Sequence, residues 1–284
     1  MKYSKYLAIA MLVCFGTLTL QQVAKADLTV AETVAQFNGL NSDGKGASFT
    51  FSSNSYSEHQ LTATNGNFSS FLGAYKSSSP VTRGYNYFNT FCVESNEFID
   101  KNTSYRGTLS YEEDGTTKST SGYVLSLGGA YLYQQFATGA LDGYFNNRSS
   151  MVTQLQNAIH FLTIPSQETT NWNNKFLQQL LNVNLDSVGI YTDAEKKAYW
   201  TSAYNLDHIY AELGNNFSEY AVFVLQVTPA NGDVVVQDQL LVTKVSRPST
   251  DTPEPATMLL WLTGGLSALG FGYAKKRRKM TSLA

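Results

Sequence analysis

The chain has 284 residues, with 20 Lys and Arg against 22 Asp and Glu and a formal net charge of −2 at neutral pH. Between Asp27 and Thr252 the balance is 12 basic to 21 acidic residues, so this body carries about −9. That charge excludes nucleic acid and anionic lipid as its partners, because both are bound by placing cations against phosphates.

In chain order, Lys2 and Lys5, the apolar run 6–20 and the small-x-small triplet Ala24-Lys25-Ala26 have the layout of a signal peptide over 1–26, with a mature chain from about Asp27. Cys14 falls inside that peptide, and Val13 before it is too large for a lipoprotein processing site. Cys92 is then the one cysteine of the mature chain and has no intramolecular disulfide partner. It is buried as a small hydrophobe, held for an intermolecular bond, or used chemically. Residues 27–246 are long enough for one sizeable core and are expected to form a single exported domain. Their richness in Tyr, Phe, Ser, Thr, Asn and Gly suits short strands and polar loops.

Strand-like alternation runs through 47–52 and 105–111, with a turn at Asn65-Gly66-Asn67 and an edge turn at Glu112-Glu113-Asp114-Gly115. Residues 88–99 read as another strand, period two placing Thr90, Cys92 and Glu94 on one face. The period then becomes helical. Helices are expected over 123–138, over 150–163, over 172–183 and over 193–213. In the second, Leu155, Ala158, Ile159 and Leu162 form the apolar stripe and Pro165 stops it; in the fourth, Thr192 and Glu195 form a capping box and Gly214 closes the end. Strands return over 220–227 and 234–245 around Asn231-Gly232, a strong hairpin signal. The order strands, helices, strands predicts an α+β fold: an antiparallel sandwich or barrel with a central helical insertion. Residues 247–252 are a linker.

The end of the chain carries Pro253-Glu254-Pro255, a charge-free stretch over 256–274, and the basic run Lys275, Lys276, Arg277, Arg278 and Lys279. Nineteen residues at ~1.5 Å each nearly span a ~30 Å hydrocarbon core, so one transmembrane helix is expected. The basic run stays cytoplasmic and the body lies on the far side. Residues 253–279 closely resemble the PEP-CTERM sorting signal of Gram-negative bacteria. The resemblance implies that an exosortase in the inner membrane recognises the Pro-Glu-Pro segment and cuts off the tail, releasing the body to the cell surface or an exopolysaccharide matrix. A plain tail anchor is the alternative, although it does not require Pro253-Glu254-Pro255.

Several chemistries lack their residues. His59, His160 and His208 are the only histidines, none at metal-ligand spacing from another, so no metal or cofactor is expected. Ser126 has Gly128 after it but Val124 where a nucleophile elbow needs glycine. Asn41-Ser42-Asp43-Gly44 is followed by no bidentate Glu and reads as a polar turn. Neighbouring Glu112 and Glu113 would point to opposite faces of a strand, so no hydrolase is supported and the chain is not expected to be an enzyme.

Phe91-Cys92-Val93-Glu94 and Leu155-Gln156-Asn157-Ala158-Ile159-His160 resemble the two signature segments of bacterial surface thioester domains. Gly128-Gly129-Ala130-Tyr131-Leu132-Tyr133 looks like the helix that precedes the Gln motif. The resemblance implies that the Cys92 sulfur and the Gln156 side-chain carbon form an internal thioester. Leu155 stands where that family usually has Thr, and His160 where it has Trp. With the stripe centred on Leu155, Gln154 and Gln156 lie ~100° to either side, so periodicity alone admits Gln154 as the acyl partner. His160, one turn beyond Gln156, can shuttle a proton or simply pack in place of Trp. Glu94 either hydrogen-bonds near the site or faces solvent. Two functions follow: a covalent adhesin that captures surface amines or hydroxyls, or a non-covalent structural or exopolysaccharide-binding matrix protein in which Cys92 is inert.

Overall fold

The computed structural model describes residues 28–41, 46–53, 58–64, 68, 71, 87–94, 99–101, 103–164, 172–208, 210–213, 217, 219–230 and 236–245. The segments expected to be a signal peptide, a linker and a sorting tail with its basic run, the expected turns at 42–44, 65–67 and 231–232, Pro165 and Gly214 lie outside the described residues. Among those described, no helix is long and apolar enough to cross a membrane, and the 256–274 stretch expected to do so is not among them.

The first element is a helix that the strand reading passed over, α1 (Val30–Asn38), opened by a Thr29–Glu32 capping box. Its Phe37 is fully buried. Among the described residues there are six strands, β1 (Ala47–Ser53), β2 (His59–Ala63), β3 (Tyr87–Thr90), β4 (Ser104–Leu109), β5 (Tyr220–Pro229) and β6 (Gln239–Lys244). They form one antiparallel sheet in the order β3-β2-β1-β4-β5-β6. The register puts Phe49, Phe51, Leu61, Phe88, Tyr105, Leu225 and Leu241 on one face, because Phe49 pairs with Tyr105, Phe51 with Leu61, Leu61 with Phe88, Leu109 with Leu225 and Phe223 with Leu241. That face is the interior.

The two edge strands meet just beyond β3. Cys92 bridges Gln239, Leu240 N–H donates to Phe91 O at 3.1 Å, and Val93 N–H donates to Asp238 O at 3.0 Å. The sheet therefore curls into a nearly closed barrel whose seam lies at Cys92. The α+β expectation holds, and of its two architectures the barrel is the one observed. The strand expected over 88–99 is shorter. It ends as regular pairing at Thr90 and continues only as the bridge at Cys92, and every residue from Phe88 to Glu94 is buried, so no face alternates toward water.

Between β4 and β5 come α2 (Leu127–Ala137), α3 (Arg148–Thr163), α4 (Lys175–Leu181) and α5 (Asp193–Thr201), the expected central helical insertion. α2 is buried at all but one of its positions because it lies between the sheet and the other helices, with Tyr133 donating to Leu240 O at 2.8 Å. Gly128 permits that position: a Cβ there would lie 2.9 Å from Trp200 O and 3.0 Å from Leu162 Cδ1, in α5 and α3. Coverage by α2 makes β6 buried at Gln239 through Thr243, whereas β1 alternates.

The fourth helix is shorter than the 193–213 expected from apolar spacing. The capping box of Thr192 and Glu195 forms, but α5 stops at Thr201. Ser202 turns extended, Tyr204 N–H donates to Leu125 O, and Asn205 Oδ1 accepts from the N–H groups of Asp207 and His208. Tyr204, Leu206, Tyr210 and Leu213 are buried without continuing α5, and only Ala211–Leu213 returns to a single 3-10 turn, so apolar spacing there reports packing and not one long helix.

Candidate functional site

In an antiparallel ladder, hydrogen-bonded and non-hydrogen-bonded pairs alternate, and side chains approach most closely in the latter. At the seam the neighbours Phe91 and Val93 make the main-chain bonds to β6, so Cys92 and Gln239 form a non-hydrogen-bonded pair. Two consequences follow. The Cys92 side chain lies against Gln239, and the Cys92 N–H and C=O point away from β6.

Gln156 takes up those two groups. From α3 its Oε1 accepts from Cys92 N–H at 3.0 Å and its Nε2 donates to Cys92 O at 2.8 Å. The carboxamide is thus laid along the peptide of Cys92 as a strand would be. The α3 stripe explains the placement: Leu155, Ala158, Ile159 and Leu162 are all buried, and Gln156 sits at the border of that stripe facing the seam. Gln154, the alternative, engages Asn174 Nδ2 through its main-chain carbonyl, and Gln156 is the one joined to Cys92. His160, one turn on, lies 2.7 Å from Gln156 through Nε2. A carboxamide nitrogen only donates, so His160 Nε2 is the acceptor in its neutral form.

His59 completes the cluster. Its Nδ1 is 2.8 Å from Cys92 Sγ and 3.4 Å from Gln239 Oε1, while Gln239 Nε2 donates to Sγ at 3.3 Å. Register delivers it there: His59 pairs with Thr90 across β2 and β3, two residues before Cys92 on the same interior face. Neither His59 nor Gln239 was legible as a site residue, because both reach Cys92 through strand pairing at long sequence separation. The available signal for His59 was its place among only three histidines.

Burial dominates the electrostatics. Cys92 is 1% exposed, and desolvation pushes its thiol far above the ordinary range, with the Gln239 hydrogen bond opposing and the charges of Glu94 and Asp238 adding. It is a thiol, not a thiolate, at neutral pH. His59 is held below the usual histidine value by desolvation, with Gln239 opposing and Lys101 adding to the lowering. Desolvation likewise lowers His160, against hydrogen bonding to the Cys92 main chain. Both imidazoles are neutral, and an Sγ–H donated to His59 Nδ1 requires the Nε2–H tautomer.

Glu94 does not face solvent. It is buried and accepts from the N–H groups of Ser121 at 3.2 Å and Asp238 at 3.1 Å, while Asp238 accepts from Thr120 and Val227. Burial raises Asp238 to about 7. On the other side, Glu58, next to His59, is fully buried and pairs with Arg148 of α3, with Tyr144 and Asn89 completing its shell. This ion pair ties the strand bearing His59 to the helix bearing Gln156. A cleft of about 160 Å³ lined by Glu58, His59, Phe91, Val152, Thr153 and Gln156 opens beside the pair. Among the described residues no group of three or more His, Cys, Asp and Glu is placed to hold a metal ion.

No family model, curated protein or solved structure matches the chain.

Proposed function

We propose that the chain is an exported surface or extracellular-matrix protein whose body forms a thioester between Cys92 Sγ and Gln156 Cδ and uses it to bond covalently to an amine or hydroxyl on another surface. The observation that carries this reading is the Gln156 carboxamide fixed at both ends on the Cys92 main chain. Its Oε1 is where negative charge develops when the carbonyl is attacked, and Cys92 N–H already donates to it. Immobilising nucleophile and acyl group as neighbours supplies an effective molarity of ~10⁵ M or more. Burial of Cys92 keeps water from the product, and the adjoining cleft gives a small nucleophile access to the Gln156 side.

Export through the secretion machinery, transient anchoring in the inner membrane and release by an exosortase rest on the sequence signals at the two termini. The second reading is a non-covalent structural or exopolysaccharide-binding module, and the raised, buried thiol of Cys92 favours it, since such cysteines are usually inert. Methylamine treatment of the purified protein separates the two. The thioester reading expects a methylamide at Gln156, located by peptide mapping, with Cys92 freed for alkylation. The inert reading expects no adduct, and an adduct at Gln154 contradicts the assignment of the acyl partner.

A further inference from the structure

We infer that His59 is the catalytic residue that moves the proton in both directions of the Cys92–Gln156 reaction, an inference that rests on the thioester reading and adds to it. A buried thiol with a raised pKa holds almost no thiolate, and only a thiolate attacks a carboxamide effectively. A base must therefore touch Sγ. Among the described residues His59 is the titratable side chain that does so, at 2.8 Å, and desolvation keeps it in the neutral form that accepts a proton. Gln239 donates to Sγ through Nε2, and its Oε1, 3.4 Å from Nδ1, accepts from that nitrogen once it has taken the proton.

The step balances without another reactant. The Sγ–H proton passes to His59 Nδ1, Sγ bonds to Gln156 Cδ, and the carbonyl electron pair moves onto Oε1 against Cys92 N–H. On collapse the Cδ–Nε2 bond breaks, His59 returns its proton to the departing nitrogen, and ammonia leaves. His160 accepts from that nitrogen in the starting state, which positions the carboxamide, and we assign the proton shuttling to His59. His59 and Gln156 line the same cleft, where the later reaction takes place. There an incoming amine gives its proton to His59, its nitrogen bonds to Cδ, the Cδ–Sγ bond breaks, and His59 reprotonates the sulfur.

The groups facing His59 are Cys92 and Gln239 across the seam, His160 from α3, Lys101, and Glu58 before it in the chain, itself paired with Arg148. Glu94 and Asp238 act on Cys92 from beyond. The test takes the full chain from inclusion bodies, at full sequence mass in denaturant, refolds it into mild detergent and follows its intact mass with time, for wild type and His59→Gln, with cooperative thermal unfolding as the folding control. The inference expects wild type to lose ~17 Da as ammonia departs and folded His59→Gln to do so at least ~10²-fold more slowly. Folded His59→Gln losing ammonia at the wild-type rate overturns it. The wild-type pH profile gives a readout independent of any variant. A histidine base expects a rate that falls as pH drops below its lowered pKa and is level above it. Hydroxide-driven thiolate formation instead gives ~10-fold per pH unit through pH 9 and contradicts the inference. A wild-type chain that keeps its full mass removes the thioester reading itself, and the inference with it.

Discussion

Around Phe49 the barrel interior is a cluster of rings, with Phe37, Phe68 and Phe88 at centroid distances of 5.2 to 6.5 Å from Phe49 or one another. Around Cys92 the same interior face carries His59, Cys92 and Gln239, and α3 adds Gln156 and His160. The ring cluster gains stability from area and close packing, which specify shape but no chemistry. The seam buries polar atoms, a desolvation cost that is offset only where each finds a partner, and those partners fix directions. Stability and reactivity should therefore respond to different substitutions.

The largest effect on stability is expected in the ring cluster. Phe49→Ala should destabilise the fold by about 3–5 kcal/mol in denaturant titration. Protein still folded at low temperature should nonetheless retain its ammonia-loss mass. Next comes the tie between the regions. Arg148→Ala removes the cation from buried Glu58 and should cost about 3 kcal/mol. Unlike Phe49→Ala it should also slow thioester formation, since it frees the His59 strand from the Gln156 helix. The double variant Glu58→Gln, Arg148→Met should recover much of the stability.

How much of this was readable in the chain follows the same division. The α3 stripe of Leu155, Ala158, Ile159 and Leu162 is a local pattern and was legible, as were the α5 capping box and the two strands of the last hairpin. The Cys92 and Gln156 segments were legible as a resemblance, and periodicity alone left Gln154 open. α1 was passed over although Thr29 and Glu32 spell its capping box. His59 and Gln239 were invisible because their meaning arises from register. His59 sits on a five-residue strand with no strong alternation, and Gln239 stands opposite Cys92 only once the barrel closes. The overextended fourth helix failed for a related reason: Tyr204, Leu206 and Tyr210 are buried by tertiary contacts that imitate helical spacing.

The smallest expected effect is on pH. Asp238 titrates near 7 when folded but at the ordinary carboxylate value when unfolded, so between about pH 4 and pH 7 the folded state holds the extra proton. Relative to Asp238→Asn, the wild type should lose stability as pH rises through that window, while the lowered His59 and His160 act in the opposite sense in both proteins. A wild-type melting temperature that climbs from pH 5 to pH 7.5 as steeply as that of Asp238→Asn would break the comparison, because Asp238 would then hold no extra proton in the folded state.

The central claim is that Cys92 and Gln156 are joined, and the intact mass of the purified protein under denaturing conditions, without added nucleophile, reads it directly. The account predicts a mass ~17 Da below that of the processed sequence and a Cys92 that resists alkylation until methylamine is added. Full sequence mass with Cys92 alkylated at once would contradict it.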